Sequence, residues 1–247
     1  RNQRTYLCNP VDLEDLWHFF FETGFIYPQK YAEFGDRIEE IRRTYTRLYG
    51  NPSNISRHFI YQENGVIRGH VAGIRAYEDS WMIHHLAANT SACPMAGLAV
   101  LKQVGHFLMA ASNLPSSRMK YILNYYQAGK KFSRRLWGGV ADRINDPRSC
   151  SQHIFTYLRI QKTASRVEMS GVGDYHLHAC HADDLAALQR AYRSEDGDLM
   201  LAALDLVPER LAAQSLTDEY HRLHLRRTRR LFTIKQGTQL EAVCMVM

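Results

Sequence analysis

Long apolar runs and clustered cysteines are both missing from this sequence. No stretch of about 18 apolar residues occurs, so no segment predicts a membrane-spanning helix. The five cysteines are scattered and no two have Cys-x-x-Cys spacing, which favours a reduced, cytoplasmic location. No signal-peptide pattern is visible, and the chain begins at Arg1 rather than Met, so we expect a fragment or a processed product.

The composition is that of an ordinary globular chain with a basic surface. Its 247 residues, 45% hydrophobic and 23% charged, are enough for one large domain or two modest ones. The formal net charge is +6. Such a surface suits nucleic acid, anionic lipid, an acidic carrier protein or a phosphate-bearing cofactor, and charge alone does not choose among them.

The clearest order of elements lies between residues 57 and 112. Asn64-Gly65 predicts a hairpin turn, because both residues tolerate positive φ at the central turn positions. Pro94 suits the first turn of a helix, where a missing amide donor costs nothing. The elements predicted here are strands at 57–62, 66–76 and 81–87 and a helix at 94–111.

The flanking residues extend this order on both sides. Apolar residues recur at helical spacing after Asp12, a residue type that favours a helix N-cap. The elements predicted there are a strand at 5–8, helices from Asp12 to Gly24 and over 31–48, a strand at 119–126, a helix at 128–136 and a strand at 153–160.

A weaker copy of this beginning occurs in the second half of the chain. Three residues at its start match the first half at one fixed offset, and two in its hairpin match at a slightly larger one. These pairs are Tyr6 and Tyr175, Asp15 and Asp184, Leu16 and Leu185, Arg57 and Arg230, and Phe59 and Phe232. We therefore predict a complete unit at 1–161, a linker at 162–172 and a second, incomplete unit at 173–247.

The order strand, two helices, three antiparallel strands, helix, strand, helix, strand resembles the GNAT acyltransferase family. The stretch 121–140, YILNYYQAGKKFSRRLWGGV, is similar to that family's strand and helix ending in a Gly-containing turn. The resemblance implies an α/β (α+β) fold with a mixed, mostly antiparallel sheet flanked by helices, followed by a second, partial GNAT-like unit. It also implies an acyl donor, usually acetyl-CoA, wedged between the fourth and fifth strands.

The junction where that family binds the donor's phosphates departs from its usual glycine-rich pattern. Here the residues are NTSACPMAGLAV, 89–100, with one glycine and no basic residue. Small residues would still let a backbone approach closely, although Pro94 removes one amide donor. By resemblance the donor-binding positions are Leu86, Ala87, Ser91, Ala92, Ala96 and Gly97. The donor is acetyl-CoA, another acyl-CoA, or the thioester of an acidic acyl carrier protein attracted by the basic chain.

Two histidines and one tyrosine are the predicted catalytic residues. His84 or His85 could take a proton from an attacking amine, and because strand neighbours face opposite sides, only one of them can face the cleft. By resemblance, Tyr126 could protonate the leaving thiolate. The alternatives stay open: one histidine faces solvent while the other packs under a helix, and Tyr126 is a core or rim residue.

Three further patterns carry weaker alternatives. Cys93 at the start of a helix could form an acyl-cysteine, or simply pack in a turn. The run HLHACH, 176–181, has metal-compatible ligands but lacks a separated partner pair, so we predict no metal. The basic clusters at 130–135 and 226–230 could contact phosphates or an acidic carrier, but few aromatics are interleaved, which argues against nucleic acid.

Two functions follow from these patterns. The first is a GNAT-like N-acyltransferase that moves an acyl group from a CoA or acyl-carrier-protein thioester to a small-molecule amine or amino acid. The second is a non-catalytic GNAT-like sensor or scaffold module of a larger protein.

Overall fold

The computed structural model describes residues 4–8, 11–158, 173–193 and 197–247. The chain divides into two compact units. The first comprises Arg1–Tyr125 and Gln214–Arg227, and the second comprises Tyr126–Ala213 and Thr228–Met247. None of the helices in the described ranges is long and apolar enough to cross a membrane. The predicted linker lies outside the described residues, so the predicted domain boundaries stay a prediction.

A five-stranded sheet forms the centre of the first unit. Its strands are β1 (Arg4–Cys8), β2 (Ser56–Glu63), β3 (Val66–Tyr77), β4 (Ser80–Ala88) and β5 (Tyr121–Leu123). They lie in the order β1-β2-β3-β4-β5, and every pair is antiparallel except β4 with β5. The predicted mixed, mostly antiparallel sheet is therefore confirmed. The hairpin between β2 and β3 turns at Asn64 and Gly65, with φ of 51° and 78°.

Four helices of the first half flank this sheet. They are α1 (Leu13–Glu22), α2 (Pro28–Phe34), α3 (Ile38–Tyr49) and α4 (Ala96–Ser112). Asp12 caps α1 as predicted, since its carboxylate accepts hydrogen bonds from the amides of Glu14 at 2.8 Å and Asp15 at 3.1 Å. The single helix predicted over 31–48 is interrupted, because Gly35 takes a φ of 47° that ends α2.

Successive residues of β2 show how the helices cover the sheet. Ile60 packs in one core cluster with Leu16 and Phe20 of α1. Phe59 contacts Phe107 of α4, with ring centroids 5.0 Å apart. Since neighbouring strand residues face opposite sides, α1 and α4 lie on opposite faces of the sheet.

The second unit contains a three-stranded antiparallel sheet. The described elements that follow β5 are α5 (Lys131–Ser133), α6 (Gly139–Ile144), β6 (Tyr175–Ala179), α7 (Ala182–Arg193), α8 (Asp198–Ala203), α9 (Ser215–Arg222), β7 (Arg230–Gln236) and β8 (Gln239–Val246). The strands lie in the order β6-β7-β8. All of these elements except α9 belong to the second unit. Residues 153–158, predicted as part of a strand, pair with no described strand.

The segment Gln214–Arg227, which contains α9, packs within the first unit. Leu216 is fully buried with Tyr49, Ile55 and Ala72. Its amide and the Ser215 hydroxyl both donate to the carboxylate of Glu78, the former at 3.0 Å. Glu78 therefore acts as a distant cap for α9 and holds it to the β3–β4 turn.

Candidate functional site

A β-bulge in β4 sets the geometry of the candidate site. His84 is opposite Ala72 and Ala87 is opposite His70, so two residues of β4 face one of β3. The first of these two, His85, has a φ of 54°, in the left-handed region. The bulge breaks the alternation of side chains, and the rings of His84 and His85 lie with centroids 4.0 Å apart. The expected placement of the two histidines on opposite faces is therefore wrong.

Two further histidines join this pair beneath α1 and α3. His58 of β2 and His70 of β3 are both fully buried, with ring centroids 4.7 Å apart at nearly a right angle. The ring of Tyr49 stacks on His58 at 3.7 Å. The histidine cluster, as we call it, comprises His58, His70, His84 and His85.

Three hydrogen bonds organise the histidine cluster. The Tyr49 hydroxyl lies 3.2 Å from Nε2 of His84. The Tyr45 hydroxyl is hydrogen-bonded to Nδ1 of His85. Nδ1 of His70 lies 2.9 Å from the His85 carbonyl oxygen, while Nε2 of His70 is buried and meets no hydrogen-bond partner among the described residues.

Burial keeps the whole cluster neutral. Desolvation lowers the pKa of His84 to about 4, of His70 to about 3 and of His85 to about 2. It lowers the pKa of His58 further still. Burial also raises the pKa of Tyr45 and Tyr49, so both hydroxyls keep their protons.

These values bear on the predicted role of His84 and His85. An efficient general base has a pKa near the working pH. A histidine whose pKa is about 4 or lower holds a proton only in acid, so it accepts one poorly from an amine at neutral pH. In this closed arrangement the cluster is therefore better suited to hydrogen bonding than to proton removal.

Beside the cluster, the backbone pairing between β4 and β5 ends. They pair only from Ser80 opposite Tyr121 to Met82 opposite Leu123, although β4 continues to Ala88. The side chain of Asn124 then donates a hydrogen bond of 2.8 Å to the Ile83 carbonyl oxygen, in place of a further backbone pair. The notch, as we call the gap after these last pairs, leaves the later half of β4 without a strand partner on that side among the residues that the structure describes.

The six predicted donor-binding residues follow the notch and differ in exposure. Ala87 belongs to the core packed around α1. Ala96 is fully buried, and a Cβ on Gly69 of β3 would lie 2.9 Å from its carbonyl oxygen. Ser91 and Ala92 are exposed, whereas Leu86 and Gly97 are half-buried.

The turn before α4 is where the resemblance places a donor's pyrophosphate. The Ala92 amide donates to the Asn89 side chain at 3.0 Å, and the Cys93 amide donates to the Asn89 carbonyl oxygen at 2.9 Å. Two amides of the turn are thus already used within it. With no basic residue in 89–100, the turn fits a pyrophosphate poorly.

Tyr126 and Cys93 have side-chain partners outside the histidine cluster. Tyr126 belongs to the second unit, and its hydroxyl donates to the Gln152 side chain at 2.7 Å. The Cys93 thiol is 3.7 Å from the Glu63 carboxylate, which also accepts from the Tyr61 hydroxyl at 2.6 Å. Cys93 is thus held in a local contact between the turn and β2, which gives no support to an acyl-cysteine.

The histidines and arginines of the second half have local partners. His176 lies 2.9 Å from Asp174. Within the described ranges, no three His, Cys, Asp or Glu residues converge on a possible metal position. Arg227 donates to the Ala76 carbonyl oxygen and Arg229 to that of Asp205, so part of the basic cluster at 226–230 holds the fold together.

Four residues of this site were not predicted from the sequence, namely Tyr45, Tyr49, His58 and His70. A signal for the two histidines was present in the strand pattern. His58 shares a strand face with the core residue Ile60, and Ile60 is directly opposite His70. A histidine on an apolar strand face, opposite another apolar position, predicts a buried ring.

No protein-family model matches the sequence, and no curated protein matches it. Among solved structures, an aminoglycoside acetyltransferase from an uncultured soil metagenomic sample is similar with a TM-score of 0.44 and 13% identity, over 66% of this chain and 99% of its own. A predicted acetyltransferase with acetyl-CoA from Clostridium acetobutylicum gives 0.39 and 14%, over 64% and 96%. A ribosomal-protein-alanine N-acetyltransferase from Brucella melitensis biovar Abortus 2308 gives 0.38 and 11%, over 65% and 100%.

Proposed function

We propose that the first unit is a GNAT-like N-acyltransferase that moves an acyl group from a thioester to an amine. The observation that carries this proposal is the notch between β4 and β5. Within the described ranges it leaves strand backbone of β4 unpaired beside His84 and His85, at the place where the resemblance puts the donor. An extended acyl-bearing arm can pair with such an edge as an added strand does.

The donor's carrier is the finer part of the proposal. The turn before α4 lacks cationic residues, and two of its amides already donate hydrogen bonds to Asn89. It therefore has few groups left to bind a CoA pyrophosphate. An acyl carrier protein presents the same kind of arm without needing that turn, and the net charge of +6 favours an acidic carrier. We therefore propose a carrier-protein thioester as the preferred donor, with acetyl-CoA or another acyl-CoA as a weaker one.

A non-catalytic sensor or scaffold module is the second candidate. It is favoured by the same occupied turn and by the low pKa values of the histidine cluster, which leave no ready general base at neutral pH. Such a module would bind a thioester or its carrier in the notch without releasing thiol.

We also propose that the second unit repeats the start of the first. The β2–β3 ladder shifts register between Tyr61 and Gln62, and the β7–β8 ladder shifts between Ile234 and Lys235. These positions correspond at the same offset that relates Arg57 to Arg230. An equivalent bulge in an equivalent hairpin supports a tandem of GNAT-like units.

Thiol release distinguishes the two candidate functions. Incubation with acetyl-CoA, longer acyl-CoAs and acyl-carrier thioesters, each with a mixture of amines, should release free thiol fastest from the carrier thioesters. The variant Leu86→Trp, at a half-buried predicted donor position beside the notch, should abolish release. Its matched control is Met109→Trp, because Met109 lies near the far end of α4 and is 72% exposed, and this variant should behave as the parent.

Each outcome of this experiment distinguishes between the two candidate functions or contradicts them. Binding without thiol release, lost in Leu86→Trp, would favour the sensor or scaffold module. Absence of binding to every donor would contradict both candidates. Release that Leu86→Trp leaves unchanged would place the reaction away from the notch.

A further inference from the structure

The hydroxyl groups of Tyr45 and Tyr49 each have one hydrogen-bonding partner among the described residues. For Tyr45 it is Nδ1 of His85, and for Tyr49 it is Nε2 of His84. Tyr49 is buried and Tyr45 is half-buried, and an O–H shielded from water that donates to nothing loses its hydration without compensation. If the histidine nitrogen were the donor, the tyrosine proton would have no described acceptor. Each tyrosine therefore donates, and each of these nitrogens accepts.

This direction fixes the proton on the other nitrogen of each ring. A neutral imidazole carries one N–H and one acceptor nitrogen. His84, which accepts at Nε2, must carry its proton on Nδ1. His85, which accepts at Nδ1, must carry its proton on Nε2.

His70 supports the same reading from the opposite direction. A carbonyl oxygen can only accept, so the contact of 2.9 Å to the His85 carbonyl places a proton on Nδ1 of His70. Three of the four rings in the histidine cluster thus have one defined tautomer. No hydrogen bond between described residues occupies Nδ1 of His84 or Nε2 of His85.

We infer that His84 and His85 act together as neutral N–H donors to the carbonyl oxygen of a thioester at the notch, with Tyr49 and Tyr45 as positioning residues. The two rings lie 4.0 Å apart at the bulge, two and three residues beyond the last β4–β5 pair at Met82. This inference rests on the proposed acyl transfer, and it replaces the predicted role of these histidines as bases.

The reaction step is balanced with these donors. The amine nitrogen attacks the carbonyl carbon, a C–N bond forms, and the carbonyl electron pair moves to oxygen. The two N–H groups hydrogen-bond the oxygen as negative charge develops there, which is the interaction that stabilises such transition states most. The electron pair on oxygen then re-forms the C=O bond as the C–S bond breaks. The sulfur takes the C–S electron pair and the proton lost by the amine and leaves as the thiol, so neither histidine changes its charge.

Nitrogen NMR of histidine-labelled full-length protein tests the tautomers directly. We expect one protonated and one acceptor nitrogen in each ring, with the proton on Nδ1 for His84 and on Nε2 for His85, and assignment through His84→Gln and His85→Gln. In Tyr49→Phe the His84 nitrogens should move towards averaged values, because the group that selects the tautomer is gone. Tyr31→Phe is the matched control, since Tyr31 is 45% exposed and contacts Phe21, and it should change neither ring.

A second readout concerns the carbonyl group. A carbon-13-labelled ketone analogue of the acyl-carrier donor, in which CH2 replaces sulfur, should bind with a downfield carbonyl shift that diminishes in Tyr49→Phe. With a reactive donor, kcat of Tyr49→Phe should fall about tenfold at nearly unchanged KM. The opposite tautomers, or a carbonyl shift that Tyr49→Phe leaves intact, would overturn this inference alone. Failure of every donor and of the analogue to bind would instead overturn the proposed function.

Discussion

Lowering the pH from about 7.5 to about 5 is expected to unfold the first unit, because four buried histidines must then take up protons. Each has a pKa well below the ordinary value of 6.5, chiefly through desolvation. Of the described groups that act on these four pKa values, none is a carboxylate. No described carboxylate therefore stabilises the charged form of the cluster, and Lys30 adds positive charge close to His85.

The sign follows from proton linkage. Below pH 6.5 the histidines of the unfolded chain are protonated, whereas those of the folded chain stay neutral. The stability present above this pH is therefore lost as the pH falls towards the pKa values of the folded state, which are about 4 for His84, about 3 for His70 and about 2 for His85. Each histidine contributes at most about 1.4 kcal/mol per pH unit in this window. Four together give a slope of roughly 5 kcal/mol per unit, enough to exhaust an ordinary domain's stability within about 2 units.

Urea denaturation at several pH values measures this slope. His58→Leu removes one titrating group from the centre of the cluster and should reduce the slope by about a quarter. The matched control is His18→Gln, because His18 is exposed on α1 and should leave the slope unchanged. A stability that stays level between pH 7.5 and about 5, or a slope equally reduced in both variants, would contradict the buried and neutral state of the cluster.

The sequence predicted the elements better than their side-chain geometry. The β2–β3 hairpin and the N-cap of α1 were found because Asn64-Gly65 and Asp12 act through local backbone chemistry. The break after α2 was not predicted, because the apolar spacing of 31–48 continues across Gly35. The helix ends there only because Gly35 takes a positive φ. Local rules thus account for the strands and caps, whereas interruptions within a regular pattern need the folded backbone.

The bulge at His85 is the case with the greatest consequence. Alternation along a regular strand places His84 and His85 on opposite faces. Histidine is one of the few non-glycine residues enriched at positive φ, but this tolerance alone does not mark where a strand bulges. The pairing of β4 with β3 on one side and its parting from β5 on the other are long-range features. The histidine cluster therefore could be predicted only in part, through the apolar faces of β2 and β3.

Glu78→Ala is expected to destabilise the first unit by about 3–5 kcal/mol, because a buried arginine loses the carboxylate with which it is paired. Arg75 and Glu78 are each 4% exposed, and their charged groups lie 3.4 Å apart. The same carboxylate accepts from the Ser215 hydroxyl and the Leu216 amide. One substitution therefore removes an ion-pair partner and the N-terminal cap of α9 together.

A second background separates these two contributions. In Arg75→Met no buried guanidinium remains to be left unpaired, and the Glu78 carboxylate has itself lost its partner. The further change Glu78→Ala should therefore cost no more than about 1 kcal/mol, the usual value of a lost cap. The matched control is Glu40→Gln, which breaks an ion pair with Arg37 whose partners are 62% and 76% exposed. That change should cost less than about 1 kcal/mol.

Urea denaturation gives the total cost, and hydrogen exchange locates it. In Glu78→Ala the amides of α9 should exchange faster than those of β2 and β3, because the helix loses its tether before the sheet opens. Tyr220, whose hydroxyl donates to the Arg75 carbonyl oxygen at 3.0 Å, and Leu216 in the core keep α9 partly docked. An equal cost of Glu78→Ala in both backgrounds would show that the cap, and not the buried charge, dominates. Unchanged exchange in α9 would contradict the role of Glu78 in holding this segment.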